Sequence, residues 1–254
     1  MKVVIGIPAR MGASRFPGKP LCKILGLTMI EHVYKRCLLA QKVDHVFVAV
    51  CDEVVKQEVE RFGGTAIMTD PDIERPGLRV AAAAKTLGLV KDDIVVVAQG
   101  DEPLLHPDMI DLAVEPLLKE PDLMLGTLVA PANEDEWLDP NEVKVLVNKH
   151  NDILFMTRSP VPSNTRNQVG QRLKQVAIMP FRAHFLQEFN QMEMMPYETV
   201  ESVELLRALE HGIKVRAIHS PYQSVSVDTE RDRREAEEIM KTDPFYPKYG
   251  GNLL

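Results

Sequence analysis

The sequence predicts an α/β protein built on a mostly parallel, Rossmann-like sheet flanked by helices. Strand and helix signals alternate through the first half of the chain, the βαβ rhythm of a doubly wound sheet. The strand candidates are short apolar runs without polar alternation, as in parallel strands covered on both faces. Finally, 45% hydrophobic and 26% charged residues in a chain of 254 are ordinary globular proportions and exclude disorder.

Val3–Ile7 is the first apolar run, ended by Pro8, and a loop carrying Gly12, Pro17, Gly18 and Pro20 follows. Met29 to Ala40 has helical spacing, with Ile30, Val33, Tyr34 and Cys37 on one face. His45–Val50 is β-branched and apolar, a second strand. Glu53–Phe62 is amphipathic and stops at Gly63-Gly64, a helix C-terminal signal. Gly77–Leu87 reads as a helix, Ile94–Ala98 as a strand apolar on both faces, and Pro107–Lys119 as a further helix. After about residue 130 the texture changes, with strands expected at Val143–Val147, Ile153–Met156 and Gln175–Met179 and a loop over Pro160–Gln171. Thr199–His211 reads as one helix, with Val203, Leu206 and Leu209 on a stripe closed by Gly212. Val215–Ile218 and Val225–Val227 read as strands. Thr229 and Asp232 then have capping-box spacing before a charged helix, and the tail from Pro244 is irregular. No repeat or long linker divides the chain, so residues 1–254 are expected to form a single domain.

Composition narrows the function. Thirty Lys and Arg against 37 Asp and Glu give a net charge of −7, the wrong sign for a non-specific nucleic-acid binder. The charge is uneven: residues 1–30 hold Lys2, Arg10, Arg15, Lys19 and Lys23 and no acid. Cys22, Cys37 and Cys51 form no CxxC pair, which fits a reducing compartment. No apolar run spans a bilayer and no secretory signal is seen, so a cytoplasmic protein without membrane insertion is expected. The seven histidines form no metal-spaced pair, and Met192, Met194 and Met195 read as an apolar contact or dimer patch.

The first strand runs into Pro8-Ala9-Arg10-Met11-Gly12-Ala13-Ser14-Arg15-Phe16-Pro17-Gly18-Lys19-Pro20-Leu21. Ligands of open α/β sheets bind beyond the carboxyl ends of the strands, and here that place holds three cations on a Gly/Pro loop. Arg grips phosphate through two N–H bonds, Lys adds a compact charge, and glycines admit backbone N–H groups. The loop is neither the dinucleotide fingerprint nor a Walker loop. A second string, Gln99-Gly100-Asp101-Glu102-Pro103, directly follows a strand, and a third, Ser226-Val227-Asp228-Thr229, precedes a helix. A lone acid at such a place is more often a turn or cap, but an acid facing a phosphate loop suits Mg²⁺.

Together these strings resemble the sugar nucleotidyltransferases, most closely the 3-deoxy-manno-octulosonate (Kdo) cytidylyltransferases, over about Lys2 to Met240. Their first loop reads Pro-Ala-Arg-x-x-Ser-x-Arg-x-Pro-Gly-Lys-Pro-Leu, matched here with Ser shifted by one. The resemblance implies the nucleotide-diphospho-sugar transferase type of fold, CTP and an acidic sugar as partners, Mg²⁺ as cofactor and a homodimer. It makes Arg10, Arg15, Lys19 and Asp101 the catalytic set. It assigns Pro8, Ala9, Arg10, Arg15, Lys19, Arg79 and Gln99 to the nucleotide, and Asp101 and Asp228 to the metal; Arg75, an extra cation where the chain departs from the family, is expected to add to the nucleotide's phosphate grip. Lys144, Arg158, Gln175, Glu201 and Glu204 fall on the sugar side, with roughly residues 130–215 as the acceptor-binding and dimerisation lobe.

Two segments depart from the family. Glu74-Arg75-Pro76-Gly77-Leu78-Arg79 replaces a Ser/Ala-Gly-Thr/Ser-acid-Arg segment near the cytidine. Gln175 and Met179 stand where the family commonly has His and Tyr. Lost polar contacts point to an amino- or deoxy-modified relative of Kdo. The alternatives are UTP, or a sialic-type or phosphonate acceptor, in place of CTP and Kdo. From other classes, a non-catalytic nucleotide sensor is disfavoured by two retained acids, and a nicotinamide oxidoreductase by the missing glycine fingerprint.

Overall fold

In the computed structural model, residues 1–12, 16–163, 166–167, 171–223 and 225–250 are described. In chain order the first half runs β1 (Val3–Ala9), β2 (Lys23–Ile24), β3 (Leu27–Thr28), α1 (Met29–Cys37), β4 (His45–Val50), α2 (Glu53–Arg61), β5 (Ala66–Met68), α3 (Pro76–Ala84), β6 (Ile94–Ala98) and α4 (Pro107–Lys119). The second half adds β7 (Gly126–Pro131), α5 (Glu134–Leu138), β8 (Lys144–Val147), β9 (Ile153–Thr157), β10 (Leu173–Val176) and β11 (Ile178–Arg182). It ends with α6 (Ala183–Gln191), α7 (Pro196–Glu201), α8 (Leu206–Glu210), β12 (Arg216–His219) and α9 (Glu230–Met240).

The main sheet has the order β11-β6-β1-β4-β5; β6, β1, β4 and β5 are parallel and β11 is an antiparallel edge. Its strands alternate between two cores. Ile5, Ile7, Val48 and Val96 face α1, α2 and α4, while Val4, Phe47, Val95 and Val97 face α3 and α6. Both faces are covered, so the strands are apolar along their length except for His45 at the start of β4 and Arg182 at the end of β11, as the continuous apolar runs predict. A second sheet, β12-β7-β10-β8-β9, extends the second core, and Leu125 bridges to Phe181 between the sheets. Among the described residues no helix is long and apolar enough to cross a membrane.

Three expectations change. The run Gln175–Met179 is two strands in different sheets, with Val176 ending β10 and Ile178 opening β11. The single helix over Thr199–His211 is two, because Ser202 takes a left-handed conformation, φ 52°. Val203, Leu205 and Leu206 are all buried. Val225–Val227 is no strand; Val227 is buried and its N–H donates to the Asp101 carbonyl at 2.9 Å. The capping box of Thr229 and Asp232 is present as expected. Six elements were not foreseen: β2, β3, β5, β7, α5 and α6. The last buries Ala183, Phe185, Leu186 and Phe189, a helical period that was there to be read.

Candidate functional site

From β1 the sheet grows one way to β4 and β5, then returns to place β6 on the other side of β1. The chain reverses direction between β1 and β6, and a crevice opens at the carboxyl ends of such strands. A cavity of about 330 Å³ lies there. Pro8, Ala9 and Arg10 from the end of β1 and Gln99, Gly100 and Asp101 from the end of β6 line it, facing Lys19 and Asp228. Gly100 permits the close approach, since a Cβ there would stand 2.7 Å from the Pro8 carbonyl oxygen.

Each charged group is set by local structure. The Met11 N–H donates to Asp52 Oδ2 at 2.8 Å, fixing the chain as it leaves β1. Gly18 adopts φ 73° and opens a 3₁₀ turn over Lys19–Leu21, which aims Lys19 inward. Lys19 Nζ donates to Asp101 Oδ2 at 2.6 Å and Asp228 Oδ1 at 3.0 Å. Burial alone would lower the Lys19 pKa; the two carboxylates outweigh it and hold it above the ordinary lysine value. The bond from the Val227 N–H to the Asp101 carbonyl clamps the two acid-bearing segments together.

The acid pair suits a hard divalent cation. Both carboxylates converge on one positive charge, and both are partly open to the cavity, 23% and 32% exposed. Among the described residues no group of three His, Cys, Asp or Glu forms a denser metal cluster. Two carboxylates, with phosphate oxygens and water completing the shell, is a donor set that fits Mg²⁺.

The remaining nucleotide-side residues divide. Arg79 reaches the cavity wall, but its guanidinium donates to Thr69 Oγ1 at 2.6 Å and to the carbonyls of Asp70 and Ile73. It holds the 69–73 turn in place. Arg75 points elsewhere, donating to Ser202 Oγ at 3.1 Å with Glu198 3.9 Å away. Arg15 lies outside the described residues. Glu74 and Phe16 also line the cavity and were missed by the motif reading.

The sugar-side residues form a network of their own. Lys144 is buried and donates to the carbonyls of Asp139, Glu142 and Arg158. Arg158 donates from Nε to the Glu201 carbonyl at 2.7 Å and from Nη1 to the Pro140 and Asn141 carbonyls. The Glu201 carboxylate accepts from Thr157 Oγ1 at 2.7 Å and the Arg158 N–H at 2.8 Å. Gln175 Nε2 donates to Thr127 Oγ1 at 3.2 Å. Met179 and Phe181 are buried in the second core, so the departure at Met179 is also a change of packing.

Glu204 is buried against the first turn of α3. Its Oε2 accepts from the Gly77 N–H at 3.2 Å, while Oε1 has no partner among the described residues. A Cβ at Gly77 would stand 2.5 Å from Oε1, so glycine there and glutamate here are coupled. Burial raises the Glu204 pKa, against the pull of the Gly77 N–H and Arg207. The folded state therefore keeps this proton to higher pH than the unfolded chain. The associated stability is complete below the unfolded value, about 4.3, and is lost as pH rises through the folded value. Glu204→Gln, neutral throughout, is expected to flatten the fall in unfolding free energy as pH rises above about 4.3. Denaturant titrations across that range would test this, and an unchanged slope would refute it.

Comparisons with known proteins place the chain in a family. The cytidylyltransferase family profile matches residues 3–218. An 8-amino-3,8-dideoxy-manno-octulosonate cytidylyltransferase of Shewanella baltica (strain OS195) is 37% identical over 245 residues, 96% of this chain and 100% of that protein. A 3-deoxy-manno-octulosonate cytidylyltransferase of Pelobacter propionicus is 40% identical over 253 residues, 95% of this chain and 98% of the relative. The solved structure of a CMP:2-keto-3-deoxy-manno-octonic acid synthetase complexed with CTP superposes with a TM-score of 0.87 at 37% identity, over 94% of this chain and 98% of that one.

Proposed function

The chain belongs to the cytidylyltransferase family, and we propose that it joins CTP to an acidic sugar of the 3-deoxy-manno-octulosonate class, Kdo itself or its amino-modified relative. The observation that carries this reading is the cavity at the ends of β1 and β6, where Arg10, Lys19, Asp101 and Asp228 meet. Its phosphate-binding wall and its acid pair come from the three strings that resemble Kdo cytidylyltransferases.

In the proposed reaction the anomeric oxygen of the sugar attacks the α-phosphorus of CTP. The new C–O–P link forms as the bond to the β-phosphate oxygen breaks, and pyrophosphate leaves with the bonding pair. The hydroxyl proton passes to solvent. Arg10 and Lys19 neutralise the leaving pyrophosphate, and Gln99, at the end of β6, flanks the nucleotide. Asp101 and Asp228 would hold Mg²⁺, which polarises the α-phosphate and lowers the pKa of the attacking hydroxyl. Arg79 acts by positioning, since its guanidinium fixes the turn beside the cavity. On the acceptor side, Arg158 is held by three carbonyls and would present its remaining guanidinium edge to the sugar carboxylate. Lys144, Gln175 and Glu201 shape that wall. The second sheet with α7 and α8 serves as the acceptor lobe, and the working unit is a cytoplasmic homodimer; the three free cysteines suit a reducing compartment.

A pyrophosphate-release assay with CTP, Mg²⁺, Kdo, its 8-amino relative and a sialic acid tests the whole reading. Release is expected with CTP and a Kdo-class acid and only near background with UTP. Folded protein that releases none with any acceptor would overturn the catalytic claim.

A further inference from the structure

The ammonium of Lys19 occupies the place where the acid pair would hold its metal. Nζ stands 2.6 Å from Asp101 Oδ2 and 3.0 Å from Asp228 Oδ1. A divalent cation held by the same two carboxylates would compete with Nζ for the oxygens that it now bonds.

The backbones that carry the pair are also held together. The Val227 N–H to Asp101 carbonyl bond ties the two backbone segments together, so the two carboxylates stay within reach of each other and a cation between them relieves their repulsion. Lys19 can serve in one state and move in another. Its backbone is pinned, with Lys19 N–H bonded to the Phe16 carbonyl and the Cys22 N–H bonded to its own. Its ammonium rides on a flexible four-carbon stem whose donors re-aim without cost to the turn. Arg10 lines the same cavity, where the phosphates of the proposed substrate would offer the ammonium a new anion.

We propose that Lys19 is the resident cation of the nucleotide-free enzyme, filling the metal seat until a triphosphate draws its ammonium away. Divalent metal then binds the vacated pair, so metal and nucleotide loading are coupled. This rests on the reading of Asp101 and Asp228 as the metal seat.

The test is Mn²⁺ binding without nucleotide, read by the electron paramagnetic resonance of free Mn²⁺. Lys19→Met, with its fold checked by circular dichroism, is expected to bind Mn²⁺ about tenfold or more tightly than the wild type, within the usual range of coupling between sites. Equal or weaker binding would overturn the proposal. A wild-type measurement stands beside it: acylation of Lys19, followed by mass spectrometry, should rise at saturating Mn²⁺. Unchanged Lys19 reactivity under bound Mn²⁺ would likewise refute the exchange. Adding Asp228→Asn to Lys19→Met should abolish the gain. If tight Mn²⁺ binding survives that change, the metal seat itself has been misassigned, a failure distinct from the failure of the exchange.

Discussion

Asp101→Asn is expected to reduce cytidylyl transfer by about a thousandfold or more while leaving the fold intact. The change is nearly isosteric and removes one negative charge from a partly open cavity wall, so packing is untouched. The Lys19 ammonium keeps Asp228 as a partner, and the backbone clamp from Val227 to the Asp101 carbonyl does not involve the side chain. What is lost is half of the anionic pair that would seat the divalent cation. Stabilisation of charge on a transferring phosphoryl group is the largest contribution such a site can make, because little covalent chemistry is left to the protein. Asp228→Asn should act in the same direction. Pyrophosphate release at saturating CTP, together with an unfolding midpoint close to that of the wild type, is the required pair of observations. Near-normal turnover by Asp101→Asn would show that the acid pair is not the metal seat.

The site was more legible in the sequence than the lobe beside it, for a physical reason. Phosphate and metal chemistry constrain residue type and spacing locally, so the strings at Pro8–Leu21 and Gln99–Pro103 carry their meaning in a few contiguous positions. The doubly wound sheet was equally readable, because strands covered on both faces must be apolar throughout. Arg79 shows the limit. Its place beside the cavity follows from the motif, yet its guanidinium holds the 69–73 turn, and no spacing reveals which partner an arginine will take. In the lobe, Lys144, Arg158 and Glu201 satisfy one another's neighbourhood through backbone carbonyls and N–H groups, contacts between segments that sequence alone does not join. The break at Ser202 was missed because a helical stripe can be drawn through Val203, Leu206 and Leu209, and nothing in the residue type of a serine announces the left-handed backbone it takes there.

That break sets up the largest expected effect on stability. Glu198 in α7 and Arg207 in α8 lie on opposite sides of Ser202 and pair in two parallel bonds: Nε to Oε2 and Nη2 to Oε1, each 2.7 Å. The side chains are 0% and 3% exposed, and the guanidinium also lies over the Phe189 ring, 4.9 Å from its centroid. Arg207→Met keeps much of the apolar stem but strands the Glu198 carboxylate in the second core. The next nearest cation among the described residues, Arg75, stands 3.9 Å away and is half-buried at the surface. Removing one partner of a buried pair costs about 3–5 kcal/mol, because the remaining charge loses its hydrogen-bonded counterion and has no water to replace it. The double variant Arg207→Met with Glu198→Leu should recover most of that loss, since an apolar replacement of both partners leaves no charge stranded. Denaturant unfolding of the two variants beside the wild type separates the pair from simple packing. A loss below about 1 kcal/mol in the single variant, or a double variant no better than the single, would show that the ion pair is not what holds α7 against α8. The consequence reaches the proposed acceptor wall, because Glu201 closes α7 and Glu204 precedes α8. The sugar side is therefore expected to loosen before the phosphate side, whose walls belong to the main sheet.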